Sequence, residues 1–432
     1  MKNYLSQILI NRDLKKRILF TLFALFVYRT VAQIPLSAVD KTQLENFFSS
    51  NQLLGLLNIF SGGALSNFSI GFMGVAPYIT SSIIFQLLSY VIPSLESLQK
   101  EGEQGRQIIN QYTRMLTVPL GFIQSFSLIA LLKNQGVIPN LSGLDLVSIL
   151  IITTASTVFL MWIGELITEQ GIGNGISLII TAGIIAGIPI QISNTISAAF
   201  GGGIVDSSKI IETISFLGIA LLTVVVIVIF NDAVRKIPIS YARRVIGRRS
   251  FGGVDSHLPM KINSAGVIPI IFALSIIVFP GLISGFIANN AKSAVLAGFF
   301  KNVANIFNPQ SIYYGIMYFI LVIAFTYFYT SIVFKPKDVA ENLQKQGGFI
   351  PGVRPGSETI NFLSKISLRL TLPGSIFLGV IAILPFILQL IFKNSNFIIG
   401  GTGILIIVSV VLETASQIKA NLINDQYENY SI

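Results

Sequence analysis

Three groups of residues in this sequence are of types that could do chemistry. Arg235-Lys236, Arg243-Arg244 and Arg248-Arg249 put three cationic pairs in one short segment, and Lys335, Lys337, Lys345 and Arg354 crowd a second. Paired arginines suit phosphate and carboxylate groups. The two segments therefore read either as contacts for anionic lipid or as a docking surface for an acidic or RNA-bearing partner, and the excess of charge in them favours a partner. Thr80, Gln86, Gln124 and Asn263 are uncharged polar residues in or beside apolar stretches. Within a membrane such side chains bond neighbouring helices, for about 0.6 to 2 kcal/mol each, or line a polar seam that can open. Gly171-Ile172-Gly173-Asn174-Gly175 looks like a phosphate loop only superficially: no strand precedes it and GxxxxGK[ST] is absent. A tight turn is the preferred reading, and ATP hydrolysis by this chain is not expected. With no cysteine and a single histidine, His257, thiolate and histidine metal clusters are excluded and a Ser-His-Asp triad has no support. Neither catalysis nor a bound metal or cofactor is expected.

The elements that must position these residues follow from composition. The chain has 432 residues, 52% hydrophobic and only 11% charged, with a net charge of +10. That is about half the usual charged fraction of a soluble domain, too little polar surface for an ordinary cytosolic enzyme. The charges sit in clusters between long uncharged gaps, as in a polytopic membrane protein. A helix crossing a bilayer core needs about 20 apolar residues. Ten stretches qualify: 18–36, 75–92, 115–132, 146–164, 175–192, 214–230, 266–287, 313–334, 372–392 and 401–416. Alternating the ten spans puts 22 basic residues on one side and 6 on the other, with Arg29 inside the first span. By the positive-inside rule both termini are cytoplasmic. The basic residues 1–17 run straight into the first span, so no cleaved signal or transit peptide is expected. The large loops, roughly 231–262 and 335–370, are too short for an independent core.

Two features sit awkwardly in that plan. Arg29 lies mid-span, where a charge facing lipid costs roughly 2.5 to 3.5 kcal/mol, so it must face protein or water or snorkel. Glu413, near the inner end of the last span, reads as an interfacial carboxylate. So few intramembrane charges leave no visible proton relay or coupling-ion site, which argues against a secondary transporter. The second feature is Ser61-Gly62-Gly63-Ala64-Leu65-Ser66-Asn67, continuing to Gly74, uncharged but too rich in glycine for a long helix. It is either a re-entrant half-helix packed in the protein's centre or an outer loop.

Ordered motifs over almost the whole chain resemble the SecY family, the central subunits of protein-conducting channels. They are Ile59 to Ser66, Pro77-Tyr78-Ile79, Lys100 to Glu103, Gln111 to Arg114, Gly171 to Ser177, His257-Leu258-Pro259, Asn263 with Ala265 to Pro269, Gly352 to Gly356 and Gly400-Gly401-Thr402. The resemblance implies an all-α polytopic fold of ten transmembrane helices, two inverted five-helix halves (1–192 and 193–432) around an hourglass pore. It makes 60–70 a plug half-helix, with Ser61, Gly62, Gly63, Ala64, Leu65 and Ser66 its distinctive residues. It implies a pore ring of Val75, Ile79, Ile176, Ile180, Ile271 and Ile406, whose aliphatic side chains bar ions by dewetting and yield around a passing chain. The family's lateral gate lies between spans 2 and 7, so Thr80, Gln86, Gln124 and Asn263 become its polar positions. Arg354, then Arg243, Arg244, Arg248 and Arg249, become the docking surface for a SecA motor ATPase or a ribosome.

Other implied partners are SecE-type and SecG-type small subunits, signal-sequence-bearing polypeptides and membrane lipid. The function implied is passive conduction of unfolded polypeptide, driven by a partner. The chain departs from the family in short tails, in Phe85 within an aliphatic run and in the order Lys335-Pro336-Lys337-Asp338. Heavy use of Ile, Asn, Lys, Phe and Tyr suggests an A+T-rich genome, so a plastid thylakoid membrane is expected ahead of a bacterial plasma membrane.

Overall fold

The computed structural model describes residues 11–36, 61, 63–65, 67–134, 136–138, 142–200, 207–241, 244–246, 249–251, 256–291, 293–308, 311–392 and 401–430. Thirteen helices are described: α1 (Arg12–Val31), α2 (Ala76–Val91), α3 (Pro93–Lys100), α4 (Glu103–Asn134), α5 (Gly143–Gln170), α6 (Gly175–Phe200), α7 (Ser207–Asp232), α8 (Ile268–Asn290), α9 (Ala294–Ile306), α10 (Ile312–Val333), α11 (Pro336–Lys345), α12 (Ser357–Phe392) and α13 (Gly401–Tyr430). Each of the ten stretches expected to cross a membrane falls on a separate long helix among them. Among the described residues, four helices are individually long and apolar enough to cross, and α2 with α3 forms a pair bent by 102°.

The starts of these helices are written locally. The Asn11 side chain accepts from the Asp13 and Leu14 N–H groups at 3.0 and 3.1 Å, and the Ser142 hydroxyl accepts from Asp145 N–H at 3.2 Å. Each satisfies orphan donors of a first turn. α2, α8 and α11 carry proline in the first turn, where no amide hydrogen is needed.

Outward faces stay apolar: Leu22, Phe23 and Phe26 on α1, Leu221, Leu222 and Ile229 on α7, and Ile316 and Ile320 on α10 are all exposed. A surface of this kind is stable only against lipid. Inside, one large apolar cluster gathers residues from α1, α2, α5, α6, α7, α8, α10, α12 and α13, and a second joins α4, α5 and residues 65–73.

The basic side holds an element the sequence did not announce. β1 (Val234–Tyr241) pairs antiparallel with β4 (Ser256–Lys261), and its far end pairs with β5 (Gly348–Phe349). A separate two-stranded ladder joins β2 (Arg244–Ile246) and β3 (Arg249–Phe251). The β4–β1–β5 sheet unites the two large loops. Ile237, Met260, Ala340, Ile350, Leu363 and Ile366 bury one another beneath it, so two loops too short for separate cores share one. α4 and α12 also run past the expected spans 115–132 and 372–392 into this basic side.

Candidate functional site

Val75 is the N-cap of α2 and Ile79 lies in its first turn; Ile176 and Ile180 open α6, Ile271 opens α8, and Ile406 lies in the second turn of α13. All six meet in the large central cluster, five of them buried and Ile176 partly so. The polypeptide thus places the first two turns of four helices in one apolar cluster. Close approach of α5 and α6 sets two of these residues. A Cβ on Gly175 would overlap the Gly164 carbonyl oxygen, and one on Gly164 would press on the Ile176 side chain.

The turn between α5 and α6 is the most heavily bonded feature near this focus. Ile172 N–H donates to Thr21 Oγ1 of α1 at 3.1 Å, and Gly173 N–H donates to Gln417 Oε1 of α13 at 2.9 Å. Gly175 N–H donates to Thr168 Oγ1 at 2.9 Å, and Ser177 N–H to Asn174 Oδ1 at 3.1 Å. Gly173 has φ +86, a conformation open to glycine at little cost. The tight turn expected from sequence is therefore also a clamp on four helices. Its partners Thr21 and Gln417 carried no sequence signal, since Gln417 is one polar residue in the middle of a helix far along the chain.

Residues 61–75 precede α2. Where a half-helix is expected over 60–70, the described residues form consecutive turns, with Ala64 N–H donating to Ser61 O (3.3 Å), Phe68 N–H to Leu65 O (3.0 Å) and Phe72 N–H to Ser69 O (3.0 Å). Positive φ at Gly63 and Phe68 breaks the helical repeat. Gly62 and Ser66 lie outside the described residues. Ser61, Ala64 and Leu65 are buried, and Gly63 is half-buried. The Tyr28 hydroxyl donates to Ser61 O at 3.4 Å, tying the segment to α1, while Leu65, Phe68 and Phe72 pack on α4 and α5.

Of the four polar positions, the structure joins two. Gln124 Nε2 donates to Thr80 Oγ1 at 3.4 Å, linking α4 to α2. Gln86 Nε2 donates instead to Ser82 on its own helix at 3.2 Å. Asn263 Nδ2 donates to Asn231 Oδ1 at 3.1 Å, and Asn231 Nδ2 donates to Ser409 Oγ at 3.0 Å, tying the lead-in to α8 to α7 and α13. Gln86 Oε1 and Asn263 Oδ1 are buried without a hydrogen-bond partner. α2 packs against α8 as spans 2 and 7 were expected to. At the far end of α2, Tyr90 lies against Phe328 of α10 with ring centroids 5.1 Å apart, a contact the sequence reading missed. Phe85, read as an interruption, stacks on Tyr112 at 6.0 Å.

Arg354 is exposed in the turn between β5 and α12, where its N–H donates to Glu358 Oε2 at 3.4 Å and its carbonyl accepts from Thr359 Oγ1 at 2.9 Å. Arg244 and Arg249 lie on the β2–β3 ladder; Arg243 and Arg248 lie outside the described residues. Arg29 is half-buried, and Glu413 and His257 are exposed. Among the described residues no cluster of metal-ligating side chains occurs.

A family model described as SecY matches residues 69–415. The protein translocase subunit SecY of Halalkalibacterium halodurans is 44% identical over 427 residues, spanning 97% of each chain. That of Streptomyces scabiei is 41% identical over 434 residues, again 97% of each. A solved structure described as a protein-conducting channel shares the fold with a TM-score of 0.65 at 18% identity, over 94% of this chain and 92% of the other. Sec61 from a canine ribosome–channel complex does so with a TM-score of 0.58 at 16% identity, over 94% and 92%. Fold and site together define a polytopic, mostly helical integral membrane protein with an apolar centre preceded in the chain by a non-helical segment. The chain belongs to the SecY family.

Proposed function

We propose that this chain is the central subunit of a protein-conducting channel, which passes unfolded secretory polypeptide across a membrane and releases apolar helices sideways into it. The observation that carries this reading is the meeting of Val75, Ile79, Ile176, Ile180, Ile271 and Ile406 in one apolar cluster, in a chain of the SecY family. A ring of aliphatic side chains has no water to lose and no charge to satisfy, so it dewets and stops ions, yet moves aside for a chain. α2 and α6 contribute two ring residues each and α8 and α13 one each. With ten crossings, α2 and α13 enter from one face and α6 and α8 from the other, as two inverted halves (1–192 and 193–432) would have it.

The basic side is then cytoplasmic, the buried segment from Ser61 is the plug, and α2 against α8 is the lateral gate, with Thr80, Gln86, Gln124 and Asn263 its polar residues. The chain does no catalysis of its own; the driving energy comes from a partner. The fold neighbours described as ribosome-bound, canine Sec61 and yeast Ssh1, support a ribosome. A SecA-type motor and SecE-type and SecG-type small subunits complete the proposed assembly, with Arg243, Arg244, Arg248, Arg249 and Arg354 as its cytoplasmic contacts. The relatives named above are bacterial and support a bacterial plasma membrane, not the thylakoid that composition suggested.

Replacing Ile79, Ile180 and Ile271 together with asparagine should make the closed channel conduct ions in planar bilayers. Unchanged conductance would remove the ring. A stalled secretory chain should crosslink to a probe at Ile176 and not to one at lipid-facing Phe23; equal labelling contradicts a central path. Arg354→Glu should stop partner-driven translocation while the protein still assembles.

A further inference from the structure

α9 is too short to cross a bilayer. Its 13 residues rise about 20 Å against a core of about 30 Å. None of them is fully buried. At about 100° per residue the helix divides into three stripes. Ala297, Phe300, Val303 and Ala304 are half-buried on the side that packs on α8, and the C-cap Phe307 reaches the central cluster. Val295, Leu296, Phe299 and Ile306 form a second stripe and are 82%, 54%, 62% and 42% exposed. Gly298, Lys301, Asn302 and Asn305 form the third, exposed and polar. Phe299 meets the inward-facing Phe300 edge to face, ring centroids 5.5 Å apart, so the outward aromatic is held in place rather than loose.

We propose that α9 lies in the phospholipid interface on the face opposite the basic loops, with Val295, Leu296, Phe299 and Ile306 in the upper acyl region and Lys301, Asn302 and Asn305 among the headgroups. It thereby anchors the outer end of α8, one side of the proposed gate. Continuity identifies the occupant. Ile283 of α8 and Ile312, Tyr313 and Ile316 of α10, the two helices that flank α9 in the chain, are exposed apolar residues of the lipid-facing surface, and the apolar stripe of α9 extends it. The polar stripe beside the apolar one needs water or headgroups. A bilayer interface offers both environments a few ångströms apart, and an interfacial helix sits about 5–10 Å into the headgroup–acyl boundary. The tyrosine at the start of α10 and the single lysine of α9 are the residue types that settle at that depth.

The inference rests on the chain's membrane topology and not on its channel activity, so its test reads depth alone. In a Trp162→Phe background, which leaves the chain without tryptophan, Phe299→Trp and Asn302→Trp are introduced separately into the full complex. Both are reconstituted into phosphatidylcholine–phosphatidylglycerol vesicles carrying brominated acyl chains. The expected result is blue-shifted, strongly quenched emission from position 299 and red-shifted, weakly quenched emission from position 302. Water-like, unquenched emission from both would overturn the proposal. So would blue-shifted emission at 299 that lipid bromines fail to quench, the signature of a protein partner covering the stripe.

Discussion

At the Gly171–Gly175 turn, α1, α5, α6 and α13 are held by side-chain hydrogen bonds of 2.9 to 3.1 Å and by a glycine contact with no room for a Cβ. Where α2 meets α8, no side-chain hydrogen bond joins the two helices among the described residues, and the nearest polar tie, Thr80 to Gln124 at 3.4 Å, runs to α4. The two regions differ in what separation would cost. Hydrogen bonds weaken steeply with distance and angle, so a clamp made of them keeps one geometry. Apolar contact in a bilayer is exchanged for lipid or for another apolar helix at little penalty, because lipid tails are as apolar as leucine. The difference leaves one side held by directional bonds and the other by apolar contact.

Breaking the clamp should cost most at Gly175. Gly175→Ala forces a Cβ into the Gly164 carbonyl, and backbone cannot swing away as a side chain would. A loss of about 3 kcal/mol, seen as failure to accumulate in the membrane, is expected. Normal accumulation would show that α5 and α6 can slide, against the comparison. Next comes Gln417→Leu, which strands the Gly173 N–H and should destabilise by about 1–3 kcal/mol. The lower melting temperature should be recovered by Gln417→Glu, which restores an acceptor, and not by Gln417→Met. Tyr90→Ala removes an aromatic pair worth about 0.5–1.5 kcal/mol at the end of α2. It should lower melting less than Gln417→Leu does while letting chains with weak signal sequences insert more often; a clamp-sized loss of stability would erase the contrast. The smallest effect belongs to Thr80→Val with Gln124→Leu, whose double-mutant cycle should give a coupling of about 0.6 kcal/mol.

The helices on which the ten stretches fall were legible because charge marks where a chain leaves a bilayer, and gaps between charges measure helices directly. The same rule hid the basic side. The charged residues before Met115 and Leu372 look like loop and are the first turns of α4 and α12. β1 did carry a period-two signal, since Ile237 and Ile239 are buried on either side of exposed Pro238, but the surrounding arginines and lysines read more loudly as a docking loop. The six residues of the proposed ring were singled out only through resemblance. An isoleucine in an apolar helix says nothing about which way it faces, and only the packed fold brings six together. Gln417 was out of reach for a different reason: its partner is a backbone amide on a distant turn, and no side-chain pattern encodes that pairing.

The pairing of β5 with β1 has a mechanical side. β1 is laddered to β4 along most of its length, and β4 runs through Lys261 straight to Asn263 and the first turn of α8. A sheet is stiff along its hydrogen-bonded strands, so the Arg354 turn and the foot of α8 sit at two ends of one lever. A partner pressing on that turn from the aqueous side would load α8 without entering the bilayer. The force would reach the helix on one side of the proposed gate, while the clamp across the molecule served as its fulcrum.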